Sequence, residues 1–164
     1  VAIPDQTLDG SLRFLASVAS GQHAGLASYR EGERPSATMT AEALACRSFL
    51  ELPRRPAAER EAARFVLAQP PDQGQLNLYY CYYGTLAMFQ IQGDEWQQWN
   101  GALRTALLRS QRVTGPHAGS WDPDTVWGRY GGRAYCTAMA TLCLEVYYRY
   151  LPMYLRLRDG DSAP

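Results

Sequence analysis

Apolar residues recur at three- and four-residue spacing in six stretches of the chain, with glycine and proline between them. The first stretch covers about 6–20, sets Leu8, Leu12, Leu15 and Val18 on one side, and stops at Gly21. A loop holding Gly25, Gly32 and Pro35 follows. The second, about 39–50, halts before Pro53. Pro56 opens the third, because its fixed φ suits a first helical turn, and Pro70-Pro71 closes it. In the fourth, about 76–91, the pairs Tyr79-Tyr80 and Tyr82-Tyr83 would suit a strand, but Gly84 to Phe89 continues with helix formers to helix length. Asp94, with Gln97 three residues on, predicts the N-cap of the fifth, which reaches Gln111 with Trp96, Trp99, Leu103 and Leu107 on one side. A long loop leads to the sixth, about 133–151, which carries Glu145 and Arg149 one turn apart and ends at Pro152. The tail after Leu157 is polar and reads as frayed.

These helices are of two kinds. The first, third and fifth bear charge along one side, whereas the second, fourth and sixth are nearly uncharged and dense in Ala, Cys, Met and Tyr. An amphipathic helix can face water; one that is apolar all round must be covered. The alternation predicts three hairpins in two layers. Self-similarity agrees: His23-Ala24-Gly25 precedes the second helix and His117-Ala118-Gly119 the sixth. The run from Thr40 to Cys46 matches that from Thr137 to Cys143 in Thr, Ala, Ala and Cys, and Thr85-Leu86-Ala87-Met88 holds the same place in the fourth helix. The expected repeats are about 6–50, 56–91 and 94–151 within a single domain spanning 1–164.

Composition narrows the function classes. Hydrophobic residues make up 46% of 164, enough for one buried core. The formal net charge is zero, so no broad basic field exists to attract nucleic acid or an anionic membrane, and neither is expected as a partner. No apolar run approaches the roughly 20 residues of a membrane-spanning helix, and no signal-peptide pattern opens the chain. The chain begins at Val1 rather than Met, and the expectation is a fragment of a longer protein. Cys46, Cys81, Cys136 and Cys143 lie in apolar stretches without metal-ligand spacing and read as buried free thiols.

Gln111, Gly119-Ser120 and Trp121 carry a resemblance. The segment around them is similar to the QW motif of the prenyltransferase and squalene-cyclase repeat family, with a longer gap than usual between Gln111 and Gly119. Gln22, Gly25 and Tyr29 form a degraded copy before the second helix. The resemblance covers most of residues 6–152 and implies an all-α fold, namely an α/α toroid segment in which three helical hairpins make an open arc of inner and outer helices. In that family the Gln caps a helix end and the Trp ring stacks on it. A closed toroid takes about five to seven hairpins, so the resemblance also implies that the rest of a parent toroid, or a second copy, completes the ring.

Cyclases of the family begin their reaction with an Asp held protonated in an apolar cavity, in motifs such as Asp-Cys-Thr-Ala-Glu. Thr38-Met39-Thr40-Ala41-Glu42 is close to that motif, but Thr38 stands where the Asp would be, and Tyr83 and Tyr135 hold the position in the other repeats. A neutral Thr or Tyr cannot serve as that acid. Asp122-Pro123-Asp124-Thr125 lies in a loop and reads as a turn and cap. The two histidines, His23 and His117, sit in matched loops with no Cys near in sequence, so no metal site and no cofactor is expected. Thr38, Glu42, Tyr79, Tyr83, Tyr135 and Met139 are the candidates to line a cavity, with Gln111, Gly119 and Trp121 structural. Among the tyrosines of the fourth and sixth helices, a binding wall of aromatic faces competes with core packing. The functional expectation is a noncatalytic repeat module that takes an apolar or isoprenoid-like small molecule. The alternatives are part of a terpenoid cyclase or prenyltransferase-like enzyme whose acid lies outside this segment, and a carbohydrate-binding or polysaccharide-cleaving toroid.

Overall fold

A computed structural model describes residues 3–71 and 75–149. They form α1 (Asp5–Ser17), a ribbon of β1 (Ala19–Ser20) with β2 (Leu26–Ala27), α2 (Ala37–Phe49), α3 (Pro56–Leu67), α4 (Leu78–Ile91), α5 (Gly93–Ser110) and α6 (Gly128–Arg149). The class is all-α with a minimal antiparallel ribbon. The expected end of the sixth helix at Pro152 and the polar tail lie outside the described residues. No helix among the described residues is long and apolar enough to cross a membrane.

Local chemistry sets the starts of three helices. The Ser36 hydroxyl accepts from the Met39 N–H and Asn77 Oδ1 from the Tyr80 N–H, so each caps its helix. Pro56 opens α3 as its φ requires. Three boundaries differ from the sequence reading. The first helix stops at Ser17, because Ala19 and Ser20 leave it to pair with Ala27 and Leu26. The fifth is not capped by Asp94: Gln92, at φ +64°, ends α4 and caps α5 without a side-chain bond, and Asp94 falls in the first turn, where its charge favours the helix N-terminus. In α6 a short turn from Gly128 is set off from the main helix by Gly132, at φ +68° and extended ψ. Gly132 has the freedom for that break, since it has no Cβ.

α4 lies between α2 and α6, and α3 and α5, which touch each other, pack against this row. The mean hydropathy of α4 is the highest of the six helices, and Gly84 to Gln90 are all buried, as an uncharged helix requires. One core cluster joins Ala41, Leu44 and Ala45 of α2 to Ala62, Ala63 and Val66 of α3, and to Leu86, Met88 and Trp99. Small side chains on both partners let α2 and α3 approach closely. A second cluster joins Leu78 and Cys81 to Leu103 and Leu107 of α5, to Trp121, and to Cys136, Ala140 and Cys143 of α6. All four cysteines are free thiols, and three are buried. In contrast, α1 has no buried residue.

Candidate functional site

A groove of about 950 Å³ lies between α1 and α2, within the size range of small-molecule sites. α1 contributes Gly10, Ser11, Phe14 and Leu15; α2 contributes Met39, Glu42, Cys46 and Phe49; Tyr79 reaches in from α4. The groove exists because α1 does not fill it. Gln111 after α5 pairs with Trp121 much as Ala19 after α1 pairs with Ala27. Counted back from these paired residues, Thr7, Ser11 and Leu15 of α1 stand where α5 has Trp99, Leu103 and Leu107. The α5 residues are all fully buried. Where α5 inserts a large aromatic and two leucines, α1 offers a threonine, a serine and one leucine, and volume is left open.

One carboxylate stands in this apolar space. Glu42, half-buried, accepts a hydrogen bond from the Tyr79 hydroxyl at 3.2 Å, and the Tyr79 ring lies 4.9 Å from that of Tyr83. Burial pushes the Tyr79 phenol well above its ordinary value, and the Glu42 charge adds to the shift, so the hydroxyl stays a donor at neutral pH. One turn along α2, the Cys46 thiol is also pushed up, first by burial and then by Glu42. It is a poor nucleophile at neutral pH.

The structure therefore brings Glu42 and Tyr79 together in the groove, with the Tyr83 ring tilted against that of Tyr79 and outside the lining. Thr38 is half-buried in the first turn of α2 and does not line the groove. Tyr135 and Met139 are elsewhere, packed against the second core cluster. Burial raises the Tyr135 phenol. Sequence reasoning missed the α1 wall, above all Gly10, Ser11 and Phe14. The signal was present in the small polar residues on the inward side of the first helix.

Gln111, Gly119 and Trp121 form a tie. Gln111 Nε2 donates to the Gly119 carbonyl at 3.0 Å, and the buried Trp121 indole donates at 2.9 Å to the Leu107 carbonyl, which also accepts the Gln111 backbone N–H, so the ring is pinned to the end of α5. The Tyr80 hydroxyl does the same for α3, donating toward the Val66 and Gln69 carbonyls at 2.8 and 3.0 Å. Thr40 and Thr137, matched in sequence, play matched parts: their hydroxyls accept the Ala27 and Trp121 backbone N–H at 3.0 and 3.2 Å.

The loop acids and histidines are structural in their contacts. The Glu61 carboxylate of α3 accepts backbone N–H groups of Gln22, His23 and Gly25, clamping the exposed His23 turn. Gly25 permits the approach, since a Cβ there would fall 2.2 Å from the Ala58 carbonyl oxygen. Asp122 pairs with Arg112 and Arg133, which hold its carboxyl below the usual range, the Arg133 hydrogen bond foremost. The exposed His117 accepts at its carbonyl from the Ser120 hydroxyl. No cluster of three or more potential metal ligands occurs among the described residues. No family model matches the chain, and neither a curated protein nor a solved structure is significantly similar to it.

Proposed function

We propose that the chain is a noncatalytic segment of an α/α toroid, an open arc of three hairpins, and that it binds an apolar or isoprenoid-like small molecule in the groove between α1 and α2. The groove carries this reading: it has ligand-sized volume, and its walls are Phe14, Leu15, Val18, Met39, Phe49 and Leu50. The row of α2, α4 and α6 with α3 and α5 against it supports the arc. A completing partner is supported by α6. With Thr137 matched to Thr40, the exposed Ala134, Ala138 and Thr141 correspond to Ala37, Ala41 and Leu44, which are buried in α2. That side of α6 fits the next hairpin of a parent toroid or a second copy.

Gly10→Leu tests the groove. No atom lies within 4 Å of a Cβ built at Gly10, so leucine enters open space, and it favours the helix by about 0.5–1 kcal/mol. The variant is expected to melt at or above the wild-type temperature and to lose binding of the neutral probe N-phenyl-1-naphthylamine, which octanol and farnesol displace from wild type. Unchanged probe binding by a folded Gly10→Leu protein refutes the groove as the site.

A further inference from the structure

We infer that the ligand of this groove is an organic cation, an ammonium group on an apolar tail, with Glu42 receiving the charged head. The inference rests on the groove being a binding site and adds the chemical class of its occupant. Glu42 is the one carboxylate of the lining. Among the described residues it forms no ion pair; the hydrogen bond it receives comes from the neutral Tyr79 hydroxyl. An ionised carboxylate has room for about four hydrogen bonds, so accepting capacity remains on Glu42.

The surroundings make that capacity costly to leave unused. Phe14, Met39 and Phe49 line the same space, and an apolar tail laid along them displaces the water that would otherwise solvate the carboxylate. A neutral tail desolvates Glu42 and gives nothing back. An anionic head adds repulsion. An ammonium head replaces the lost water with a charge-assisted hydrogen bond in a setting of reduced dielectric. Tyr79 fixes the carboxylate from one side through its hydroxyl, and the Phe14 and Tyr79 rings offer faces that attract a cation. Arg30, the one cationic side chain of the lining, sits with its guanidinium 5.6 Å from the centre of the Tyr29 ring and forms no ion pair with Glu42.

The experiment titrates wild type, Glu42→Gln and Gly10→Leu with octylammonium, octanol and octanoate at pH 7, by displacement of the same neutral probe. Wild type is expected to bind octylammonium roughly tenfold or more tighter than octanol, the size of a charge-assisted hydrogen bond, and octanoate weakest. Glu42→Gln keeps an acceptor for Tyr79 and is expected to bring octylammonium down to the level of octanol. Equal binding of octanol and octylammonium by wild type, a preference for octanoate, or an ammonium preference that survives in Glu42→Gln overturns the cation and leaves the apolar groove standing. Should all three compounds fail to displace the probe, or bind Gly10→Leu as they bind wild type, the groove itself falls and the cation with it. A melting curve for Glu42→Gln that matches wild type ties the loss of preference to the charge, and Tyr79→Phe, which keeps the carboxylate, is expected to retain the ammonium preference.

Discussion

Replacing Gly84 by alanine puts two physical effects in opposition at one position. In an isolated helix the change is favourable by about 1 kcal/mol. In this protein Gly84 faces α5, and a Cβ there would lie 2.3 Å from Cζ2 and 2.4 Å from Cη2 of Trp99. Carbon atoms prefer about 3.5–4.0 Å, so α4 and α5 must part by more than 1 Å or the ring must tilt. Trp99 is fully buried and cannot swing into solvent. A tilt also strains the buried bond of 3.0 Å from its indole N–H to the Thr85 hydroxyl. Overpacking costs about 1–3 kcal/mol and the hydrogen bond about 1 kcal/mol. After the propensity gain, the net loss is about 2 kcal/mol. In a domain of this size that lowers the melting temperature by about 4–8 °C. Gly101 is the control: it lies in α5, exposed, with no atom within 4 Å of a built Cβ, and Gly101→Ala is expected to stabilise by about 0.5–1 kcal/mol. Urea unfolding followed by circular dichroism at 222 nm measures both. Equal stabilisation by the two substitutions would show that α4 and α5 do not approach as closely as described.

The remaining predictions concern acid and thiol chemistry. Three backbone N–H groups, that of Gly25 foremost, hold the Glu61 carboxyl below its ordinary value of about 4.5, so its stabilising effect is complete above that pH and is lost as pH falls through the depressed folded value. Glu61→Gln is therefore expected to be less stable than wild type at pH 7 and to show a shallower decline below about pH 5 in urea midpoints; parallel declines refute the clamp. Of the four thiols, only half-buried Cys46 is expected to react with iodoacetamide in the native protein at pH 8, because Cys81 is buried with its pKa pushed up to about 12 and Cys136 and Cys143 are also buried. Saturating octylamine should slow labelling of Cys46, and mass spectrometry that finds a second native label, or no protection, contradicts the burial or the site.

Much of the fold is legible in the sequence because helix periodicity, capping residues and prolines act locally. Pro56, the breaker at Pro53 and the uncharged run of α4 each have one satisfactory structural answer. The departures occur where a distant partner decides. Ala19 and Ser20 continue the apolar rhythm of the first helix, yet their backbone groups pair across the Gly21 turn with residues that no local pattern connects to them. Asp94 is a good cap by type, but the reversal from α4 to α5 is completed in the two residues before it by the positive φ of Gln92 and Gly93. The candidate site was legible in part: Glu42 and Tyr79 face one space, whereas Tyr135 and Met139, chosen for matched positions in the repeat, serve the core around Cys136 and Ala140. Position in a repeat indicates which way a helix face points, and the neighbouring helix decides whether that face meets side chains or a void.

That distinction explains how a packing unit acquires a groove. The same backbone arrangement, a helix running into a short paired segment and a Thr hydroxyl holding the return strand, occurs before α2 and before α6. In the second case Trp99, Leu103 and Leu107 fill the inward positions, and the product is core. In the first, Thr7, Ser11 and Leu15 leave those positions partly empty, and the product is a groove beside a carboxylate. Burying a side chain such as Leu is worth about 1.5–3 kcal/mol, so a helix that forgoes several of them is weakly held, in keeping with the lack of any buried residue in α1. A ligand that supplies the missing apolar surface would recover part of that free energy. Occupancy of the groove should therefore slow amide exchange in α1 more than in α4, where Gly84 to Gln90 are already buried.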